Sequence, residues 1–202
     1  MSIRGVYFDF GGVLVRTEDP APRARLAERL GMPVRELERI AFESDSAALA
    51  TVGKISVEQH WASVAERLGQ PAVDARRLSD EFFAGDGWDR QLFDFLHDLR
   101  RTHKVGLISN AWSDLRPVIL AHGFGESFDA MIISAEVGVA KPDARIYRLA
   151  LDKLGVAAPE AVFVDDVSDN VEAARAVGMQ AIRFTRPQAA LDELKALLTN
   201  HR

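Results

Sequence analysis

Along the chain, short apolar runs alternate with stretches whose apolar residues recur every three or four positions. The runs are Gly5-Val6-Tyr7-Phe8-Asp9, Lys104-Val105-Gly106-Leu107-Ile108-Ser109, Ala130-Met131-Ile132-Ile133-Ser134, Ala161-Val162-Phe163-Val164-Asp165-Asp166 and Gln180-Ala181-Ile182-Arg183-Phe184. Each is a strand-length apolar segment, as expected of strands buried on both faces of a parallel sheet. Between them, Leu92, Phe95, Leu96 and Leu99 give one helix an apolar face. Ile146, Leu149, Ala150 and Leu154 do the same after Asp143, and Gly155 stands where such a helix would stop. Val171, Ala174 and Val177 precede Gly178, and Leu191, Leu194, Leu197 and Leu198 mark a last helix. Alternating strand and helix predicts an α/β architecture, a parallel sheet with helices on both faces.

The stretch from Pro20 to Gly87 breaks that alternation. Its apolar positions are helical throughout. Leu26 and Leu30 mark one helix, closed by Gly31. Pro33 suits the first position of a second helix, which carries Leu37, Ile40 and Ala41. Ser56 is a good N-cap for a third through Val57, Trp61, Val64 and Leu68, ending at Gly69. A fourth spans Ala72 to Phe83, and Gly85-Asp86-Gly87 reads as a hinge or linker. The expected organisation is therefore a core of residues 1–19 and 88–202 with an all-helical segment, 20–87, inserted after the first strand.

Composition adds mainly exclusions. The 202 residues, 48% of them hydrophobic, suffice for one full core and a small subdomain. A net charge of -5 lacks the basic footprint of a nucleic-acid binder. No apolar run is long enough to cross a bilayer, and no secretory signal precedes Val6. The expectation is a soluble cytoplasmic protein, monomer or homodimer, acting on a small molecule. With no cysteine, disulfides and thiolate–metal sites are excluded.

The candidate chemistry lies where apolar runs end. Open α/β sheets bind ligands at the carboxyl ends of their strands. Asp9, Ser109, Lys141 in the loop after the third run, and Asp165 with Asp166 are far apart in sequence, but one sheet edge would gather them. Three carboxylates held together call for a cation. Oxygen donors without histidine or cysteine favour Mg2+. A divalent ion beside a lysine and a serine makes an electrostatic cradle for a phosphoryl group. Taken singly, each residue has a plain structural reading as a turn former, helix cap or solvated loop. Jointly they supply what phosphoryl transfer requires.

In order along the chain, Asp9-Phe10-Gly11-Gly12-Val13-Leu14, Leu107-Ile108-Ser109-Asn110, Lys141-Pro142 and Phe163-Val164-Asp165-Asp166 with Asn170 resemble the four motifs of the haloacid dehalogenase superfamily. The branch with a helical cap after the first strand is the one matched. Val137 to Asp143 and Val164 to Asn170 are most similar to sugar-1-phosphate phosphatases and to the phosphatase-like N-terminal domain of epoxide hydrolases. The resemblance implies a Rossmann-like core and a phosphatase acting on a small phosphorylated metabolite, with a sugar phosphate as one candidate. It implies that Asp9 is the nucleophile and forms an aspartyl-phosphate. Ser109, Asn110 and Lys141 would bind the substrate. Asp9, the Gly11 carbonyl, Asp166 and, directly or through water, Asp165 would hold Mg2+.

One position departs from the pattern. Phosphatases of this superfamily carry a second aspartate two residues after the nucleophile, where it protonates the leaving oxygen and later activates water. Gly11 stands there. General acid–base help is worth about a hundred- to ten-thousandfold in rate. A slow or silent phosphate-binding protein is thus one alternative. A 2-haloacid dehalogenase is another, but that branch has uncharged residues where Asp165 and Asp166 stand. Lys54 is a candidate substrate contact or a solvated turn lysine, and Arg16 and Trp112 are candidates for the site entrance. Trp61 and Phe42 are expected to be core, and none of the five histidines has metal-ligand spacing.

Overall fold

The computed structural model describes residues 2–199, all but Ala72 with their side chains. The chain runs through β1 (Gly5–Phe8), β2 (Val15–Thr17), α1 (Ala21–Arg29), α2 (Val34–Phe42), α3 (Asp45–Thr51), α4 (Val57–Arg67), α5 (Ala75–Phe83) and β3 (Asp86–Trp88). It continues through α6 (Arg90–Leu99), β4 (Lys104–Ser109), α7 (Leu115–Ala121), β5 (Ala130–Ile133), α8 (Ser134–Val137), α9 (Ala144–Leu154), β6 (Ala161–Asp165), α10 (Ser168–Ala176), β7 (Gln180–Arg183) and α11 (Pro187–Thr199). All five apolar runs are strands of one parallel sheet, ordered β5-β4-β1-β6-β7. β1 lies in the middle, with Val6 facing Val105 on one side and Val162 on the other. The chain crosses from β4 and β5 on one flank of β1 to β6 and β7 on the other. The switch point, and with it the ligand crevice, falls at the end of β1.

Alternation along β1 explains the two-sided core. Val6 and Phe8 join Leu92, Phe93 and Leu96 of α6, Ile119 of α7 and Leu194 of α11 on one face. Tyr7 points the other way, against Ile146, Tyr147 and Ala150 of α9 and Val171 and Ala174 of α10. Fully burying one such side chain stabilises by about 1.5–3 kcal/mol. The tyrosine hydroxyls are not stranded: Tyr7 donates to the Ala150 carbonyl at 2.9 Å and Tyr147 to the Asn170 carbonyl at 2.9 Å. The buried stripe of α9 is Ile146, Tyr147, Ala150, Leu151 and Leu154, and Leu149 faces solvent.

Helices α1–α5 have a core of their own. Leu26, Leu37, Ile40, Trp61, Val64, Leu78 and Phe82 form it. Ser56 closes a capping box with Gln59 at the start of α4. Arg23 pins the unit at its base. Its guanidinium meets Glu38 at 2.9 Å and Asp86 at 3.2 Å and lies 4.1 Å from the centre of the Phe82 ring.

Several expectations are corrected. Asp86 and Gly87 are not a free hinge: β3 pairs antiparallel with β2, with Arg16 opposite Gly87 and Thr17 opposite Asp86. Three-residue strands are too short to show a period of two, and their partners lie about 70 residues apart. Pro33 is the N-cap of α2, not its first residue. The short helices α3, α7 and α8 were not expected. α3 buries only the small residues Ala47 and Ala50, which leave little amphipathic signal. Phe42 is 49% exposed rather than core. Among the described residues no helix is long and apolar enough to cross a membrane.

Candidate active site

Asp9 directly follows β1. Its N–H donates to the Val164 carbonyl of β6 at 2.9 Å, so the central strand pairing fixes its backbone. Its Oδ1 accepts the Phe10 N–H at 2.7 Å, which sets the carboxylate's orientation. The side chain lies at the bottom of the crevice and is nearly buried. Lys141 arrives from the loop between α8 and α9, with its ammonium 2.8 Å from Asp9 Oδ1 and 2.6 Å from Asp165 Oδ2. A buried ammonium is tolerable only when paired and hydrogen-bonded. Here it bridges two acids.

Asp165 ends β6 and is saturated with donors. Besides Lys141, it accepts Asn170 Nδ2 at 3.1 Å on each oxygen and the Val167 N–H at 2.7 Å on Oδ1. Asp166 is half-buried, and among the described residues no other residue donates to its carboxylate. Carboxylate oxygens of Asp9, Asp165 and Asp166 lie within 4.8 Å of one another. When all three are ionised, one ammonium leaves two negative charges uncompensated. The local electrostatics register this. Burial pushes Asp9 up to about 7, against the pull of Lys141 and with a further push from Asp165. Burial, then the charge of Asp165, also raises Asp166. Acids raised this way gain most from a divalent cation, and a set of hard oxygen donors suits Mg2+.

Ser109 ends β4 and is buried, and its hydroxyl makes no hydrogen bond among the described residues. Asn110 is already engaged: its Nδ2 donates to the Lys141 carbonyl at 2.8 Å and its Oδ1 accepts the Lys141 N–H at 2.7 Å. It positions Lys141, leaving one amide hydrogen for a ligand. Ser134, which sequence reasoning passed over, makes a second clamp. Its Oγ accepts the Ala111 N–H at 3.0 Å and donates to the Ala111 carbonyl at 3.2 Å. Only its place at the end of an apolar run pointed to it. Of the entrance candidates, Arg16 is occupied, with Nη2 2.6 Å from Asp89 and Nη1 on the Val13 carbonyl. Lys54 is exposed beside Gly53, where the turn between α3 and α4 closes on the core. An added Cβ on Gly53 would lie 2.1 Å from the Ala135 carbonyl oxygen.

Gly11 and Gly12 differ sharply. At Gly11 an added Cβ meets nothing within 4 Å, and φ is ordinary. At Gly12 φ is +78° and an added Cβ would lie 2.4 Å from the Asp166 carboxyl carbon. Gly12→Ala is therefore expected to lower stability by more than about 1 kcal/mol from backbone strain alone, and to displace Asp166. Denaturant unfolding with and without Mg2+ checks this: the loss should be larger with the metal present.

A family model described as haloacid dehalogenase-like hydrolase matches residues 3–178. The chain is 29% identical to bifunctional epoxide hydrolase 2 of Sus scrofa over 96% of its own length, and spans 39% of that protein. It is 30% identical to a phosphoglycolate phosphatase of Yersinia pseudotuberculosis, covering 91% of this chain and 82% of that one. The fold superposes with a TM-score of 0.77, at 19% identity, on a haloacid dehalogenase family enzyme of Bacteroides thetaiotaomicron in complex with magnesium and inorganic phosphate. That match covers 91% of this chain and 95% of the other.

Proposed function

The chain belongs to the haloacid dehalogenase-like hydrolase family, and from that premise we propose that it is a magnesium-dependent phosphatase using Asp9 as nucleophile. Its substrate is a small phosphorylated metabolite, with sugar phosphates among the candidates. One observation carries the reading: Lys141 lies 2.8 Å from Asp9 and 2.6 Å from Asp165 in a pocket that also holds Asp166.

The residues divide the work. The Ser109 hydroxyl and the Lys141 ammonium take phosphate oxygens. An oxygen of Asp9 attacks phosphorus as the bond to the leaving oxygen breaks, forming an aspartyl-phosphate. Water then attacks phosphorus, the bond to Asp9 breaks, and phosphate leaves with the carboxylate restored. Asp9, Asp166, the Gly11 carbonyl and, directly or through water, Asp165 would hold Mg2+, which supplies positive charge to the phosphoryl oxygens. With three donors already on it, Asp165 is suited to ordering Lys141. Residues 20–87 act as the cap that covers the site and excludes water. The enzyme works in the cytoplasm, as a monomer or homodimer.

A screen of phosphorylated metabolites with Mg2+, including sugar 1-phosphates and 6-phosphates side by side, tests the reading. Excess chelator is expected to lower phosphate release at least tenfold, and Mg2+ to restore it. Halide release from a 2-haloacid without metal would identify a dehalogenase instead.

A further inference from the structure

Trp112 stands three residues beyond Ser109 and faces α1–α5. Its ring centre is 4.4 Å from that of His60 and 6.0 Å from Trp61, and it stacks on Phe42 at 6.2 Å and 26°. The backbone beneath it is immobilised, since Asn110 is clasped to Lys141 and Ala111 to Ser134. The same loop that ends in Ser109 thus carries a fixed aromatic wall. Phe42 leaves 49% of its surface open although aromatic rings flank it, and Val167, whose N–H binds Asp165, is 45% open. Open apolar surface beside the loop that ends in Ser109 can take the apolar part of a ligand.

The ionic groups of that rim point the same way. Asp114 lies two residues past Trp112 and Glu58 sits on α4, and neither has an ion-pair partner among the described residues. Asp114 is solvent-exposed yet raised, first by partial desolvation and then by the charge of Glu58. A second negative group on a ligand that reached this loop would be repelled by these two acids.

We propose that Trp112 and Phe42 form the wall against which the organic part of the substrate lies, so that the enzyme selects phosphomonoesters with a flat apolar face over those bearing a carboxylate. This rests on the phosphatase reading above. With phosphate held at the bottom by Ser109 and Lys141, the remainder of the ester extends toward the helical unit and passes Trp112. An arene or the carbon-lined face of a pyranose offers the same surface to an indole. A glycolate offers none, and brings a charge.

Four esters separate the possibilities: phenyl phosphate, a hexose 1-phosphate, phosphoglycolate and acetyl phosphate. The wild-type kcat/KM should favour one or both of the first two over phosphoglycolate by about tenfold or more. Which of them is favoured assigns the face to an arene or to a sugar. In Trp112→Ala and in Phe42→Ala, kcat/KM for the favoured ester relative to acetyl phosphate should fall about fivefold, through KM, the size expected of one lost stacking contact. Trp112→Phe should recover most of it. Phe42→Ala removes a half-exposed ring, so the test does not hang on the folding of Trp112→Ala. Preference for phosphoglycolate, or an equal change on all four esters, overturns the proposal. Calorimetric binding of the same esters reads the wall without turnover. Absent hydrolysis with the binding preference intact would sink the phosphatase reading alone, whereas equal binding of phenyl phosphate, the hexose ester and phosphoglycolate would sink the wall.

Discussion

Asp9→Asn is expected to abolish hydrolysis of a generic aryl phosphate, a loss of more than about a thousandfold, without unfolding the protein. An amide cannot form the acyl phosphate, and no other group replaces it. Asp165 is committed to Lys141, Asn170 and the Val167 amide, and Asp166 is assigned above to the metal. The fold should tolerate the change for two reasons. Burial opposes the Asp9 charge and pushes the carboxyl up to about 7 against the pull of Lys141, so a neutral amide removes a desolvation cost along with the ion pair. The Asn carbonyl also keeps an acceptor for the Phe10 N–H, and Lys141 keeps Asp165. Steady-state release of the aryl alcohol, together with a thermal melt, reads both halves. Full retained activity would remove Asp9 from the mechanism. Lost activity with a collapsed melt would show the side chain to be structural.

The sheet was legible because each of its strands is a short apolar block between polar residues, and a strand buried on both faces leaves no alternative pattern. The placing of Asp9, Ser109, Asp165 and Asp166 at one edge followed from that, since parallel strands deliver their carboxyl ends together, whereas Lys141 reaches them from the loop between α8 and α9. What the sequence did not carry was how the groups are held. The resemblance gives Asn110 a part in substrate binding, yet in the structure it locks the Lys141 backbone from 31 positions away. Ser134 clamps Ala111 through a sheet register that no local pattern states. The β2–β3 ladder escaped for a related reason: Arg16, Asp89, Arg23 and Asp86 bind the two connections to each other and to neighbouring helices. Those contacts arise only once the intervening helices have folded back. Phe42 shows the opposite failure. Its spacing on α2 is that of a core residue, and only the position of Trp112 reveals that it sits at an edge.

Gly11→Asp is expected to raise steady-state turnover about a hundredfold on esters with poor leaving groups, and less on esters with good ones. Two proton transfers accompany the two steps, and a glycine affects them differently. In the first, an alkoxide of high pKa must be protonated as it leaves, whereas an aryl or anomeric oxygen departs with little help. In the second, water must lose a proton as it attacks the aspartyl-phosphate, and this requirement is the same whatever left before it. For good leaving groups the wild-type enzyme should therefore form phosphoenzyme faster than it breaks it down. The expected signature is a burst of released alcohol, of about one equivalent per site, followed by a slower rate common to several aryl esters. The new carboxylate should shrink that burst as it speeds the second step. Space for it exists, because a Cβ at Gly11 meets nothing within 4 Å and the backbone there is not left-handed, in contrast to Gly12. Rapid-mixing kinetics on a series of aryl and alkyl phosphates measures both steps. An equal gain on all esters would reject the leaving-group argument. A wild-type enzyme without a burst on aryl esters would show that breakdown of a phosphoenzyme is not the slow step.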